Sequence, residues 1–137
     1  MNYLLDTNAC IALINGKPPT VRVRFAKAID AGAQVLVPTV VAFELWYGVA
    51  KSANVETNTR RVREFFAGPV RMLAFEEDDA RSAGSVRAQL EKAGKPIGAY
   101  DVLIAGQALR HGLTLVTANA REFGRVKELD WEDWGRG

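Results

Sequence analysis

Three carboxylates in this sequence interrupt stretches that are otherwise apolar. Asp6 follows the apolar run Tyr3-Leu4-Leu5, whereas Glu44 and Asp101 stand among hydrophobic residues in two segments with helical spacing. An acid on an apolar face costs on the order of several kcal/mol unless another group compensates for it. We therefore treat these three acids as candidate functional residues.

Carboxylates gathered in one cleft repel one another and raise one another's pKa unless a cation neutralises them. Oxygen ligands without sulfur or imidazole suit Mg²⁺ or Mn²⁺. Such an ion lowers the pKa of a bound water molecule, orients it and stabilises the leaving oxygen in phosphodiester cleavage. If the three acids converge, the predicted chemistry is metal-assisted hydrolysis with water as the nucleophile.

Each acid also has a purely structural interpretation. Asp6 suits the N-cap of a helix that begins at Thr7, and Thr7 itself suits a cap as well as a site hydroxyl. A buried arginine partner is the alternative explanation for Glu44 and Asp101. The four consecutive acids at positions 76–79 are expected in the first turn of a helix, where they favour the helix dipole, rather than in a metal site.

Other kinds of site lack the residues that they need. Cys10 and His111 are the only cysteine and histidine, so the chain has no disulfide, too few ligands for zinc and no good catalytic dyad. Gly94-Lys95 lacks the upstream glycine of a phosphate-binding loop and is followed by proline. A glycine-rich dinucleotide motif is also absent after the first strand.

The composition predicts one soluble domain that spans residues 1–137. The chain is 48% hydrophobic and 25% charged, and its 18 Lys and Arg nearly balance its 16 Asp and Glu. No apolar run approaches the ~18 residues of a membrane helix, and the first residues lack the basic region of a signal peptide. We expect a cytoplasmic protein that does not contact a membrane.

Segments with strand and helix patterns alternate along the chain. Apolar spacing, together with glycine and proline positions, predicts helices at 9–14, 21–31, 39–51, 55–67, 76–93 and 99–111. Short apolar runs predict strands at 3–5, 34–37, 70–73 and 113–117, with a short edge strand near 126–129. This order predicts an α/β fold, a three-layer α/β/α sandwich with a central, mainly parallel sheet of four or five strands.

Polar residues lie where the predicted strands end. Asp6 and Thr7 follow the first strand, and Asn119 follows the fourth. We expect Glu44 and Asp101 on the first turns of helices that begin at the same edge of the sheet, where open α/β sheets bind ligands. Asn119 is a further candidate metal ligand through its amide oxygen, although asparagine in a loop is more often a turn former.

Four motifs in order along the chain resemble those of the PIN-domain ribonucleases, in particular VapC-type toxins. They are Leu4-Leu5-Asp6-Thr7-Asn8, Val40-Val41-Ala42-Phe43-Glu44-Leu45-Trp46-Tyr47-Gly48, Pro96-Ile97-Gly98-Ala99-Tyr100-Asp101-Val102-Leu103-Ile104-Ala105 and Leu115-Val116-Thr117-Ala118-Asn119 with Glu122-Phe123 and Val126. The resemblance implies a PIN-like fold in which Asp6, Glu44 and Asp101 are metal-binding catalytic carboxylates and Thr7 is a supporting hydroxyl. Asn119 stands where the family often has a fourth acid.

The resemblance also implies an activity and partners. A protein of this kind would be a Mg²⁺- or Mn²⁺-dependent endoribonuclease toxin that cleaves structured RNA such as tRNA or rRNA. It would form a homodimer that aligns two acidic sites, and a VapB-type antitoxin would inhibit it by covering the active-site groove, often with an arginine toward the acids. Four basic residues are candidates for binding RNA phosphates, or else part of solvated surfaces: Arg60, Arg61, Arg63 and Lys95.

Two other interpretations compete with this one. A haloacid-dehalogenase-like phosphatase also carries an Asp after its first strand, but its pattern requires a second Asp where this chain has Asn8. A non-catalytic module that binds RNA or protein through a degenerate metal site is the alternative that Asn119 suggests. The aromatic residues Phe43, Trp46 and Tyr47 beside Glu44 fit a partner groove, the core or a dimer interface.

Overall fold

The computed structural model of the protein describes residues 1–136. These residues form five strands, β1 (Tyr3–Leu5), β2 (Val35–Pro38), β3 (Arg71–Leu73), β4 (Thr114–Val116) and β5 (Trp131–Glu132). They also form seven helices, α1 (Thr7–Asn15), α2 (Pro19–Asp30), α3 (Thr39–Ala50), α4 (Val55–Ala67), α5 (Glu77–Lys92), α6 (Ala99–His111) and α7 (Ala120–Phe123). The strands and helices alternate as the sequence predicts.

The strands form one sheet in the order β3-β2-β1-β4-β5, and every pairing in it is parallel. The central strand β1 pairs with β4 through Leu4 opposite Leu115 and Leu5 opposite Val116. Successive residues of a strand point to opposite faces, and all residues of β2 and β4 are buried. Helices therefore cover both faces of the sheet, and the predicted α/β fold with a parallel sheet is confirmed.

The direction of chain progression through the sheet reverses at β1. Strands β2 and β3 lie on one side of β1, whereas β4 and β5 lie on the other. The space beyond the carboxyl ends of β1 and β4 is consequently the topological switch point, where ligands of open α/β sheets bind. Asp6 and Thr117 are the first residues after these two strands.

The predicted edge strand near 126–129 is wrong. The backbone N–H groups of Val126 and Leu129 bond locally, to Phe123 O at 3.1 Å and Val126 O at 3.2 Å, so this segment turns instead of extending. A turn buries both apolar side chains, which lie three residues apart. The edge strand is β5, with Trp131 opposite Leu115.

Glu44 lies elsewhere on its helix than the sequence predicts. Helix α3 begins at Thr39, so Glu44 stands in the second turn and not the first. The buried residues of α3 are Val41, Ala42, Leu45 and Val49. Glu44 is half-buried beside this apolar stripe, where its carboxylate reaches polar neighbours.

The acids at positions 76–79 do begin a helix, as predicted. Glu76 is the N-cap of α5, and its backbone N–H donates to Asp79 Oδ2 at 2.7 Å in a capping box. Asp79 is fully buried, and its Oδ1 lies 3.2 Å from Arg110 Nη1 and 3.1 Å from His111 Nε2. These acids therefore stabilise the α5–α6 junction.

The helices also bear on membrane spanning and on the single cysteine. Within residues 1–136 no helix combines the length and the apolar character needed to cross a membrane. Cys10 is buried in α1 and is a free thiol.

Candidate active site

Asp6 is both a helix cap and a member of a group of acids. Its Oδ1 accepts a hydrogen bond from Ala9 N at 2.8 Å, as expected of the N-cap of α1. Burial raises the pKa of its carboxyl group, and the nearby charges of Glu44 and Asp133 add to the rise. Hydrogen bonds from Thr117 and Ala9 act in the opposite direction by stabilising the ionised form.

Thr7 connects the first helix to Glu44. Its hydroxyl donates to Glu44 Oε1 at 2.6 Å, a short bond that a charged acceptor favours. Thr7 is the first residue of α1, whereas Glu44 lies in α3. The predicted supporting hydroxyl therefore orients a predicted site carboxylate.

Asp101 lies in the first turn of α6 and faces three other acids. Burial, then the hydrogen bond and charge of Glu122 and the charges of Asp6 and Glu44, together raise its pKa to about 7. A protonated Asp101 donates this bond, since a carboxylate can only accept. The site thus brings together the three predicted acids and a fourth acid.

Glu122 is a site residue that the sequence analysis quoted within a family motif but did not name as a candidate ligand. It lies in α7, and its hydrogen bond with Asp101 is the largest of the influences that lower its pKa. Its Oε1 accepts from Gly98 N at 3.2 Å, and its Oε2 accepts from Asn119 Nδ2 at 3.0 Å. The spacing Asn119-x-x-Glu122 is typical of a helix N-terminus, and it could have predicted a short helix that carries Glu122.

Asn119 and Thr117 connect the end of β4 to this group. Asn119 is the N-cap of α7, and its Oδ1 accepts from Glu122 N at 3.4 Å. Its own backbone N–H donates to Thr117 Oγ1 at 2.9 Å, and Thr117 hydrogen bonds to Asp6. Both polar atoms of the Asn119 side chain are therefore engaged with Glu122.

The side-chain oxygens of this site are suitable ligands for a hard, hydrated cation. They are carboxylate oxygens, and the charges of Glu122, Asp6 and Glu44 add to the rise that burial causes in the pKa of Asp101. A cation relieves such crowding of negative charge. In the part of the chain that the structure describes, no three His, Cys, Asp or Glu side chains converge tightly enough to enclose a metal. Mg²⁺ commonly keeps several waters and binds one or two carboxylates, so it requires no closed protein cage.

The predicted basic residues differ in their surroundings. Arg61 Nη2 lies 2.6 Å from Asn15 Oδ1 and 3.4 Å from Ile14 O, so this guanidinium binds the C-terminal end of α1. Arg60 and Arg63 are exposed on α4, and Lys95 is exposed in the loop before α6. Arg61 is therefore the least available of the four for phosphates.

An apolar groove and an aromatic pair border the acids. The groove, about 250 Å³, lies between α1, α3 and α4 and has Glu44 and Arg61 among its lining residues. The rings of Phe43 and Tyr100 meet edge to face with centroids 5.7 Å apart, and both side chains are exposed. Each of these aromatics directly precedes a site acid in the chain.

The chain is similar in sequence to known proteins over nearly its whole length. The model of the PIN domain family matches residues 3–129. The tRNA(fMet)-specific endonuclease VapC of Shigella flexneri is 40% identical over 134 residues, which cover 98% of each chain. Ribonuclease VapC2 of Haemophilus influenzae is 37% identical over 134 residues, again with 98% of each chain covered.

Solved structures are also similar to this chain over nearly its whole length. A VapBC2 complex of Rickettsia felis, bound to a DNA fragment from its promoter, matches with a TM-score of 0.91 and 33% identity, covering 98% of this chain and 99% of that one. The DNA-bound VapBC of Salmonella typhimurium matches with a TM-score of 0.89 and 36% identity over 98% of both chains. The similarity therefore extends to the entire fold described above.

Proposed function

The chain belongs to the PIN-domain family and, within it, to the VapC ribonucleases, and from this membership we propose that it is an endoribonuclease toxin dependent on Mg²⁺ or Mn²⁺. The observation that carries the proposal is the gathering of Asp6, Glu44, Asp101 and Glu122 at the switch point of the sheet. Carboxylates gathered at one place favour cation binding, because a cation relieves their mutual repulsion.

The proposed cation ligands are drawn from these four carboxylates. When bound, a divalent ion supplies an activated water molecule and stabilises the leaving oxygen of a phosphodiester. The chain's own residues hold the carboxylates in place: Ala9 N and Thr117 fix Asp6, and Thr7 fixes Glu44. The Asp101–Glu122 pair holds a proton near neutral pH when no cation is present, which lowers the repulsion within the site.

We propose a structured RNA, such as tRNA or rRNA, as the substrate. The name of the Shigella relative specifies tRNA(fMet), which supports a tRNA as the first substrate to test. The exposed cations Arg60, Arg63 and Lys95 would contact phosphates through charge rather than base sequence. Arg61 would contribute less because it binds the end of α1.

A VapB-type antitoxin is the proposed partner of the same site. The solved relatives from Rickettsia and Salmonella are VapBC complexes, which supports this proposal. The groove between α1, α3 and α4 offers an apolar floor with Glu44 at its wall, so an arginine of an antitoxin tail would pair with that acid. We also propose a homodimer, as the sequence resemblance implies.

The test is cleavage of a pool of total tRNA and rRNA by antitoxin-free protein with Mg²⁺ or Mn²⁺. We expect discrete cuts that disappear with EDTA and in Asp101→Asn, whereas Asp30→Asn, a substitution at an exposed position of α2, still cuts. Equal cutting by Asp101→Asn would contradict the assigned site. An absence of cuts by the wild-type protein would instead favour a non-catalytic RNA- or protein-binding module.

A further inference from the structure

The side chain of Glu122 is held by two donors that come from different parts of the chain. Gly98 N, at the start of α6, donates to Oε1 at 3.2 Å, and Asn119 Nδ2 donates to Oε2 at 3.0 Å. Each carboxylate oxygen therefore has its own donor, and the two bonds together fix the orientation of the group.

This orientation directs Glu122 toward Asp101. Gly98 lies against Asp101 as well, since a Cβ at this glycine would stand 3.4 Å from Asp101 Oδ2. Gly98 thus lies beside both acids, and its N–H binds one carboxylate oxygen of Glu122 while Asn119 binds the other. Without Asn119, the Glu122 carboxylate would keep Gly98 N as a donor and, when Asp101 is protonated, the carboxyl group of Asp101.

The hydrogen bonds of the Asn119 side chain also indicate whether its amide oxygen is available to bind a metal. A carboxylate oxygen accepts but does not donate, so the NH₂ group of the amide must face Glu122 Oε2. The amide oxygen then faces Glu122 N as the helix cap. To reach a cation, this oxygen would have to leave the cap.

We infer that Asn119 is a positioning residue, and not a metal ligand, and that its amide holds Glu122 beside Asp101 as the fourth carboxylate of the site. The inference rests on the proposed function for the use of that carboxylate. The network continues through Asn119 N and Thr117 Oγ1 toward Asp6, so one asparagine links the acids at the ends of β1 and β4 to those near α6.

Two substitutions separate this role from its alternatives. Asn119→Asp provides an extra carboxylate oxygen, which would strengthen cation binding if Asn119 were a ligand. In a positioning role the same change removes the donor and sets a like charge against Glu122, which weakens cation binding. Asn119→Ser keeps a good helix cap but is too short to hold the Glu122 carboxylate, so it separates capping from positioning.

The measurement is calorimetric titration of metal-free protein with Mn²⁺, together with cleavage kinetics on tRNA. We expect Asn119→Ser and Asn119→Asp to weaken Mn²⁺ binding by about tenfold, as loss of an outer partner of a ligand does. The kcat for cleavage should fall while the KM for RNA and the melting temperature of Asn119→Ser stay near wild type. In a Glu122→Gln background, Asn119→Ser should have little further effect, because the two residues act as a unit.

Three outcomes would overturn the inference. Mn²⁺ binding by Asn119→Asp that equals or exceeds the wild type would make Asn119 a ligand. Unchanged binding and cleavage by Asn119→Ser would remove the positioning role while leaving the proposed function intact. A wild-type chain that neither binds Mn²⁺ nor cleaves RNA would end the proposed function and this inference together.

Discussion

The Thr7 hydroxyl lies 2.6 Å from Glu44 Oε1, although 37 positions separate the two residues in the chain. The bond joins the beginning of α1, beside Asp6, to the second turn of α3. It limits the rotation of the Glu44 side chain, so the site carboxylate is oriented before any ligand binds.

Removing this hydroxyl should impair catalysis more than folding. A hydrogen bond to a charged group contributes about 1.5–3 kcal/mol, so we expect Thr7→Val to lower kcat for RNA cleavage by about tenfold or more. Thr7→Ser retains the hydroxyl and should stay close to wild type. Initial rates of tRNA cleavage with saturating Mg²⁺ would check this, and equal rates for the Val and Ser variants would contradict it.

The raised pKa of Asp101 makes the stability of the cation-free protein depend on pH. The pKa is 3.8 for an unperturbed Asp and about 7 in the folded chain, so folding favours the protonated form. The stability that this provides is fully present below pH 3.8 and is lost as the pH rises to about 7. Asp101→Asn cannot ionise and should therefore become more stable than wild type as the pH rises.

We expect the melting temperature of Asp101→Asn in EDTA to exceed that of wild type by about 5 °C more at pH 8 than at pH 5. This corresponds to about 1–2 kcal/mol, reduced from the full shift because solvent screens a half-exposed group and Glu122 shifts in the opposite direction. Scanning calorimetry at the two pH values measures it. Asp30→Asn is the control, and a difference that does not grow with pH would contradict the assignment.

The buried Asp79 makes the neighbouring Arg110 important for stability. Asp79 is fully buried, and its partners are Arg110 at 3.2 Å and His111 at 3.1 Å. We expect Arg110→Met to destabilise the fold, because the buried carboxylate would keep only His111 and the backbone N–H of Glu76 as partners. Cleavage by the folded fraction should be unchanged, since none of these groups hydrogen bonds to the site acids.

A surface ion pair provides the matched control for that variant. Arg87 pairs with Glu91 at 3.0 Å, but their side chains are 68% and 56% exposed. Exposed pairs of this kind contribute little, so Arg87→Met should lower the urea midpoint several-fold less than Arg110→Met. Similar midpoints for the two variants would show that the Asp79 pair is no more important than a surface pair.

Substitution of two helical glycines by alanine should change the stability of the protein in opposite directions. A Cβ at Gly106 would stand 2.5 Å from both Ala83 Cα and Ala83 N, so Gly106→Ala should cost about 3 kcal/mol by overpacking. A Cβ at Gly84 would meet no atom within 4 Å, so Gly84→Ala should stabilise the protein by about 0.5–1 kcal/mol. Urea denaturation of both variants measures this, and equal changes would contradict the close contact.

The local pattern of residues was sufficient to predict the elements and most of the acids. Apolar spacing and glycine positions located α3 to α6 within a residue or two at each end. Asp6, Glu44 and Asp101 attracted notice because each is an acid in an apolar context, a property that adjacent positions already reveal. The wrong edge strand at 126–129 shows the limit, because a pair of apolar residues three apart fits a turn as well as a strand.

The site features that the sequence did not predict depend on contacts between residues far apart in the chain. Glu122 reaches the site only because the α6 and α7 segments meet beyond β4, where Gly98 N binds a residue 24 positions later. Arg61 binds the end of α1, and Arg110 binds a buried acid 31 positions earlier. Side-chain partners of this kind depend on how helices pack, which periodicity does not record.

By itself the sequence determined the alternation of strands and helices, and hence the parallel sheet and the edge at which polar residues collect. This follows from burial, because the spacing of apolar residues must match the period of each element. Only the tertiary structure decided that Thr7 orients Glu44, that Glu122 is the fourth acid and that Asn119 binds it. The physical reason is that hydrogen bonds need side chains within about 3 Å, a distance that packing sets and spacing along the chain does not.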